Sequence, residues 1–114
     1  RIELRTPDPM ANPYLVNAVT LAAGLDGIQR GLELPEEGTS ALASLSDAEL
    51  RRRGIQPLPR NLSEALDCFE EAELMRETLG DHIHGLFLKK KRQEWEKYSS
   101  TITEWEIKHY LANS

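Results

Sequence analysis

Arg1-Ile2-Glu3-Leu4-Arg5 alternates three charged residues with two apolar ones. In an extended chain successive side chains point to opposite faces, so Arg1, Glu3 and Arg5 would share one face and Ile2 and Leu4 the other. Two guanidiniums then flank one carboxylate across roughly 13 Å, at about 3.3 Å per residue. A carboxylate oxygen is a hard donor, suited to Mg²⁺ or Mn²⁺. A guanidinium offers a fork of donors that matches a carboxylate or a phosphate. The set suits phosphoryl transfer, with the acid holding a cation and the arginines holding anionic groups. The plainer alternative is a charged strand face with an internal ion pair, which contributes little to stability.

The spacing predicts a strand over residues 1–6, followed by helices over about 13–30, 46–53, 62–79, 82–100 and 104–111. The strand has no partner strand within the chain. Pro7 and Pro9 stiffen the connection after it. Asn12 and Pro13 open the first helix, and Gly31 lies near its end. Ala11, Ala18 and Ala22 give that helix a small-residue face, with Leu15, Val19, Leu25 and Ile28 around it. Gly24 and Gly27 each cost about 1 kcal/mol against Ala inside a helix, which predicts a packing reason for them. Tyr14 reads as a core tyrosine with a satisfied hydroxyl.

Residues 33–45 read as a loop. Ser46 with Glu49 forms a capping box, and Arg51, Arg52 and Arg53 suit the end of a short helix. Asn61 and Glu64 make the next capping pair. Leu62, Ala65, Leu66 and Phe69 recur at i, i+3, i+4 and i+7, the spacing of a helical apolar stripe. Met75 and Leu79 continue it, Gly80 reads as a stop, and Asp81 can cap the longest helix. Leu88, Trp95 and Ile102 recur at heptad spacing, so the stripe persists if that helix continues. Thr103 and Glu106 make a final capping box.

Several features have plainer readings than chemistry. Asp67, Glu70, Glu71 and Glu73 form an acidic cluster that reads as a solvated face. Lys89-Lys90-Lys91-Arg92 is followed at once by Glu94 and Glu96 and reads as an exposed face with local ion pairs. His82 and His84 on one helix point about 200° apart, which is poor for chelation. His109 has no evident partner, and none of the three is assigned to a metal.

The net charge of −5 and a pI near 5.2 argue against a general affinity for nucleic acid or anionic membranes. The single Cys68 can form no internal disulfide, which fits a reducing, cytoplasmic setting. It reads as a small buried or half-buried apolar residue. No apolar stretch approaches transmembrane length, and no signal peptide is visible. Only 6% of residues are aromatic and 39% hydrophobic, so the core should be modest. A chain that opens on Arg, at a residue expected in a site, reads as a segment of a longer protein.

The runs RIELRTPDP, NPYL and LAAGLDGI (residues 1–9, 12–15 and 21–28), with K-R-x-E-W at 91–95 and W-E-x-x-x-Y-L at 105–111, resemble the C-terminal part of the catalytic domain of bacterial-type (type I) glutamine synthetase. The likeness covers nearly the whole chain and is loosest over about residues 33–60. It implies an α+β parent fold, of which this chain would be the mostly α-helical part with one N-terminal β-strand carrying R-x-E-x-R.

By that resemblance Glu3 stands at a carboxylate ligand of the metal bridging the nucleotide phosphates. Arg5 stands where an arginine holds the carboxylate of substrate glutamate. Arg1 stands where an arginine reaches the nucleotide phosphates and acts in catalysis. The implied reaction uses ATP, with Mg²⁺ or Mn²⁺, to make γ-glutamyl phosphate, which ammonia attacks to give glutamine. The remaining site residues would lie upstream or on a neighbouring subunit, so the isolated chain is expected to be inactive. The resemblance also implies a homo-oligomer of two stacked hexameric rings, with the C-terminal helix reaching the opposite ring. In part of the family a loop tyrosine is adenylylated, and Leu42-Ala43-Ser44-Leu45 puts an alanine there, so no such control is expected. Two alternatives stay open: a γ-glutamyl ligase using a larger amine, and a non-catalytic helical assembly module.

Overall fold

A computed structural model describes residues 3–34 and 42–111. The body is helical: α1 (Pro13–Gln29), α2 (Asp47–Arg52), α3 (Leu62–Glu71), α4 (Glu73–Ser99) and the single turn α5 (Glu104–Glu106). A 3₁₀ turn covers Leu42–Ser44, and a π turn, Ile107–Leu111, continues α5. There is no strand among the described residues. The expected N-terminal strand is thus corrected over residues 3–6, which lie outside any ladder, and residues 1 and 2 fall outside the described residues. The physical reason is the missing partner: a strand is defined by inter-strand hydrogen bonds, and no segment among the described residues supplies them.

Local side-chain chemistry starts the helices. The Asn12 carboxamide oxygen accepts from the Tyr14 and Leu15 amides at 2.9 and 3.4 Å. Ser46 and Glu49 form a reciprocal capping box at α2. At α3 the Asn61 oxygen accepts from the Glu64 amide at 2.9 Å, while the Glu64 carboxylate accepts from the Arg60 amide at 2.9 Å. Helix α1 ends on Gly31 at φ 60°, with the Leu32 amide donating to the Gly27 carbonyl at 3.0 Å. That six-to-one bond needs a left-handed residue, which glycine supplies without strain.

The expected helix over 62–79 is broken at Ala72, which has φ −79° and ψ 100° and caps α4 without a side-chain bond. Helix α4 then bends at Gly80, whose φ of 74° and ψ of 155° favour glycine. The chain doubles back there, so the second part of α4 packs along α3, and α4 also packs against α1. Gly80 thus ends one helical segment and Asp81 stands at the start of the next, as the spacing predicts; the Asp81 carboxylate lies 3.9 Å from the Arg76 guanidinium.

The core is as thin as the composition implies. Among the described residues only Leu66, at 2%, and His84, at 6% exposure, are buried. The His84 ring stacks on Phe69 with centroids 4.7 Å apart and planes at 14°. Its Nε2 lies 3.3 Å from the Phe69 carbonyl oxygen. Phe87 also meets Phe69, with ring centroids 5.2 Å apart and planes at 46°. Across the same junction the Arg92 guanidinium donates to Asp67 and Glu70 at 2.7 Å each. Those hydrogen bonds, Asp67 first and Glu70 second, hold the guanidinium protonated beyond its ordinary range. The acidic face of α3 is therefore partly an inter-helix clamp.

Two burial expectations are corrected. Tyr14 is 83% exposed and Cys68 is exposed. Both sit on helix faces that no other described element covers. The packing reason sought for Gly24 and Gly27 is not found among the described residues, where a Cβ added at either would meet nothing within 4 Å. The heptad stripe stops with α4 at Ser99, leaving Ile102 71% exposed. No helix among the described residues is long and apolar enough to cross a membrane.

Candidate functional site

The charged face begins at Glu3. Its Oε1 accepts from Arg5 Nε at 2.7 Å, and Arg5 Nη2 lies 2.7 Å from the same oxygen. The alternation expected from the sequence thus brings Glu3 and Arg5 to one side, where their side chains are 51% and 84% exposed. Arg1 lies outside the described residues.

Leu4, between them, lines an apolar groove with Pro7 on one side and Thr20, Leu21, Leu25 and Ile28 of α1 on the other. An exposed ion pair contributes about 0–1 kcal/mol. Full burial of a leucine contributes about 1.5–3 kcal/mol, so a half-covered Leu4 (51% exposed) at least matches the pair. After Arg5 the chain turns tightly, with the Met10 amide donating to the Asp8 carboxylate at 2.7 Å and the Ala11 amide to the Asp8 carbonyl at 2.9 Å. That turn delivers the backbone to the Asn12 cap of α1.

The chemistry of this face is limited and specific. The half-exposed Glu3 carboxylate offers hard oxygen donors that fit a divalent cation. No group of three His, Cys, Asp or Glu side chains able to hold a metal occurs among the described residues. Among the described residues Glu3 thus offers a single donor and not a complete coordination shell. Arg5 supplies a fork suited to a carboxylate or phosphate.

A second concave region lies between α3 and α4, lined by Glu70, Glu71, Glu73, Arg76, His84 and Leu88. His84 is committed there to Phe69, a packing that no spacing of residues signals. The C-terminal segment is a third feature. Ile102, Trp105, Ile107, Tyr110 and Leu111 are between 46% and 71% exposed. Trp105 and His109 stack at 4.1 Å, and Tyr110 meets Trp105 edge-on at 6.0 Å.

Comparison with known proteins gives this geometry its context. Residues 1–110 match the profile of "Glutamine synthetase, catalytic domain". The chain is 45% identical over 112 residues to a glutamine synthetase of Mycolicibacterium smegmatis, covering 98% of this chain and 25% of that protein. It is 43% identical over 111 residues to one of Clostridium saccharobutylicum, covering 97% and 25%, and 42% identical over 111 residues to one of Methanococcus maripaludis, again covering 97% and 25%. The chain is thus a piece of an enzyme's catalytic domain and spans about a quarter of the length of the curated relatives it matches. It belongs to the glutamine synthetase family and corresponds to the C-terminal portion of that catalytic domain.

Proposed function

We propose that this chain forms one wall of the active site of a full-length glutamine synthetase, which joins ammonia to glutamate at the expense of ATP through γ-glutamyl phosphate. The observation that carries the reading is the shared face of Glu3 and Arg5, within a chain whose family membership spans residues 1–110. In that protein Glu3, ionised, is one ligand of a Mg²⁺ or Mn²⁺ ion. The ion, when bound, neutralises charge on the transferring phosphoryl group. Arg5 holds the carboxylate of glutamate and so orients the γ-carboxylate for attack on the nucleotide. Arg1 reaches the nucleotide phosphates and stabilises the charge that develops during transfer. The exposed C-terminal segment supports assembly into two stacked hexameric rings in the cytoplasm.

The isolated 114-residue chain lacks most of such a site and is expected to make no glutamine. The test is phosphate release by the full-length protein with glutamate and ATP, supplied with ammonium or with a panel of larger amines. Preference for ammonium supports the reading, and preference for a larger amine makes the protein a γ-glutamyl-amine ligase instead. Full activity in Arg5→Lys and Glu3→Gln variants would contradict both.

A further inference from the structure

Tyr14, Ala18, Leu21, Leu25 and Ile28 follow one another along α1 at steps of four, three, four and three residues, which sets them on one side of the helix. All five are exposed, the four large ones at 50% to 83%. We infer that this stripe is an internal interface of the full-length protein, covered by the part of the same polypeptide upstream of this chain.

The helix has the composition of a buried one. Asp26 is its only charged residue, and that carboxylate pairs with Arg30 at 3.2 Å. A helix apolar on every side belongs in an interior. Here α4 packs on α1, and Leu15, Val19 and Ala22 are half-buried, while the stripe stays exposed. Leu21, Leu25 and Ile28 line the apolar groove beside Pro7, whose walls carry no charged residue. An exchangeable partner is met by a surface with a polar rim, whereas a permanent interface resembles a core cut in half. Gly24 lines the same groove with nothing within 4 Å of an added Cβ, so an occupant can come close to the helix backbone there.

Area and length choose the occupant. At about 1.5 Å per residue α1 is about 25 Å long, and at about 10 Å across it offers a face of about 250 Å². A stable association of separate chains buries about 800 Å² on each partner, so a second copy docked on this stripe alone falls short. Cover from the same polypeptide needs no such area, because it gives up no free translation and rotation. The relatives supply the length. The chain covers 25% of each at its C-terminal portion, which leaves the greater part of the polypeptide to provide the cover.

The test uses the full-length protein with Leu21→Cys or Ile28→Cys. Maleimide labelling of the introduced thiol is followed by peptide mass spectrometry, in the native protein and in urea. Native labelling should be slower by about a hundredfold or more, both in the assembled protein and after dilution to separated subunits. Equal rates in native and unfolded protein overturn the inference. Protection that vanishes when the subunits separate assigns the stripe to a second copy and overturns it as well. If neither variant folds, hydroxyl-radical footprinting of Tyr14 in the unaltered protein decides by the same outcomes. The inference rests on the chain being one part of a full-length member of its family. Labelling is read without activity, so its failure leaves the roles proposed for Glu3 and Arg5 standing, and their failure leaves the cover standing.

Discussion

The imidazole of His84 lies flat on the ring of Phe69, 4.7 Å between centroids, while its Nε2 approaches the Phe69 carbonyl at 3.3 Å. A carbonyl oxygen only accepts, so the proton of that bond sits on Nε2. One side chain thus joins α3 to α4 through both a stack and a hydrogen bond, beside the bend at Gly80. His84→Ala should destabilise the protein by about 2 kcal/mol, combining a lost aromatic pair with a lost hydrogen bond. His84→Phe should recover the stack but not the bond, and so lie between the two. Denaturant unfolding of the three proteins checks the order. Equal stability of His84→Ala and the unaltered protein would show the pair to be incidental.

Glu106 gives a pH dependence of definite sign. The Thr103 backbone amide donates to its carboxylate at 2.7 Å and the Thr103 hydroxyl at 2.8 Å, and these two bonds lower its pKa below the ordinary carboxylate range. A group whose pKa is depressed by folding stabilises the fold above its unfolded pKa and loses that contribution as pH falls through its folded pKa. The turn Glu104–Leu111 should therefore be fully formed at neutral pH and loosen only under acid conditions. Proton exchange at the Thr103 amide, followed by NMR against pH, should track the Glu106 titration. Glu106→Gln should flatten that profile, and an unchanged profile would remove Glu106 from the account.

Gly24 and Gly27 sit inside α1 with no neighbour within 4 Å of an added Cβ. In the 114-residue chain, Gly24→Ala or Gly27→Ala should stabilise α1 by up to about 1 kcal/mol each. Circular dichroism on heating reads this as a higher midpoint. In the full-length protein the same substitution reports on what covers α1: a lowered midpoint there, beside a raised one in the short chain, would locate a close neighbour outside these residues. A lowered midpoint in the short chain would contradict the open environment seen here.

The C-terminal segment carries Trp105, Tyr110 and Leu111 at 58%, 68% and 67% exposure. If this surface docks between rings, removing residues 103–114 from the full-length protein should dissociate stacked rings into single ones. Light scattering would read that as a halved mass. An undiminished assembly would return these residues to a role within their own subunit.

What the sequence revealed follows the range of each interaction. Asn12, Ser46, Asn61 and Thr103 were recognisable as caps because each bonds an amide two or three residues away. The break at Ala72 was hidden, since alanine is a strong helix former and no side chain marks the cap. The basic run at 89–92 read as a face with local pairs. Lys91 does pair locally with Glu94 at 2.7 Å, whereas Arg92 spans 25 residues to Asp67. Tyr14 and Cys68 were expected inside because their types favour it, and their exposure is set by which elements lie beside them. The strand over 1–6 depended on a partner strand, and none occurs among the described residues. The Glu3–Arg5 face was legible because an i, i+2 relation needs only a locally extended backbone.

The proposed role of Glu3 as a metal ligand in the full-length protein underlies the other site assignments. Its most direct test is the Mn²⁺ dissociation constant of that protein, measured by titration calorimetry without nucleotide, for the unaltered form and for Glu3→Gln. Glu3→Gln should weaken one Mn²⁺ site by about a hundredfold or more while the protein stays folded and assembled. An unchanged dissociation constant and stoichiometry would contradict it.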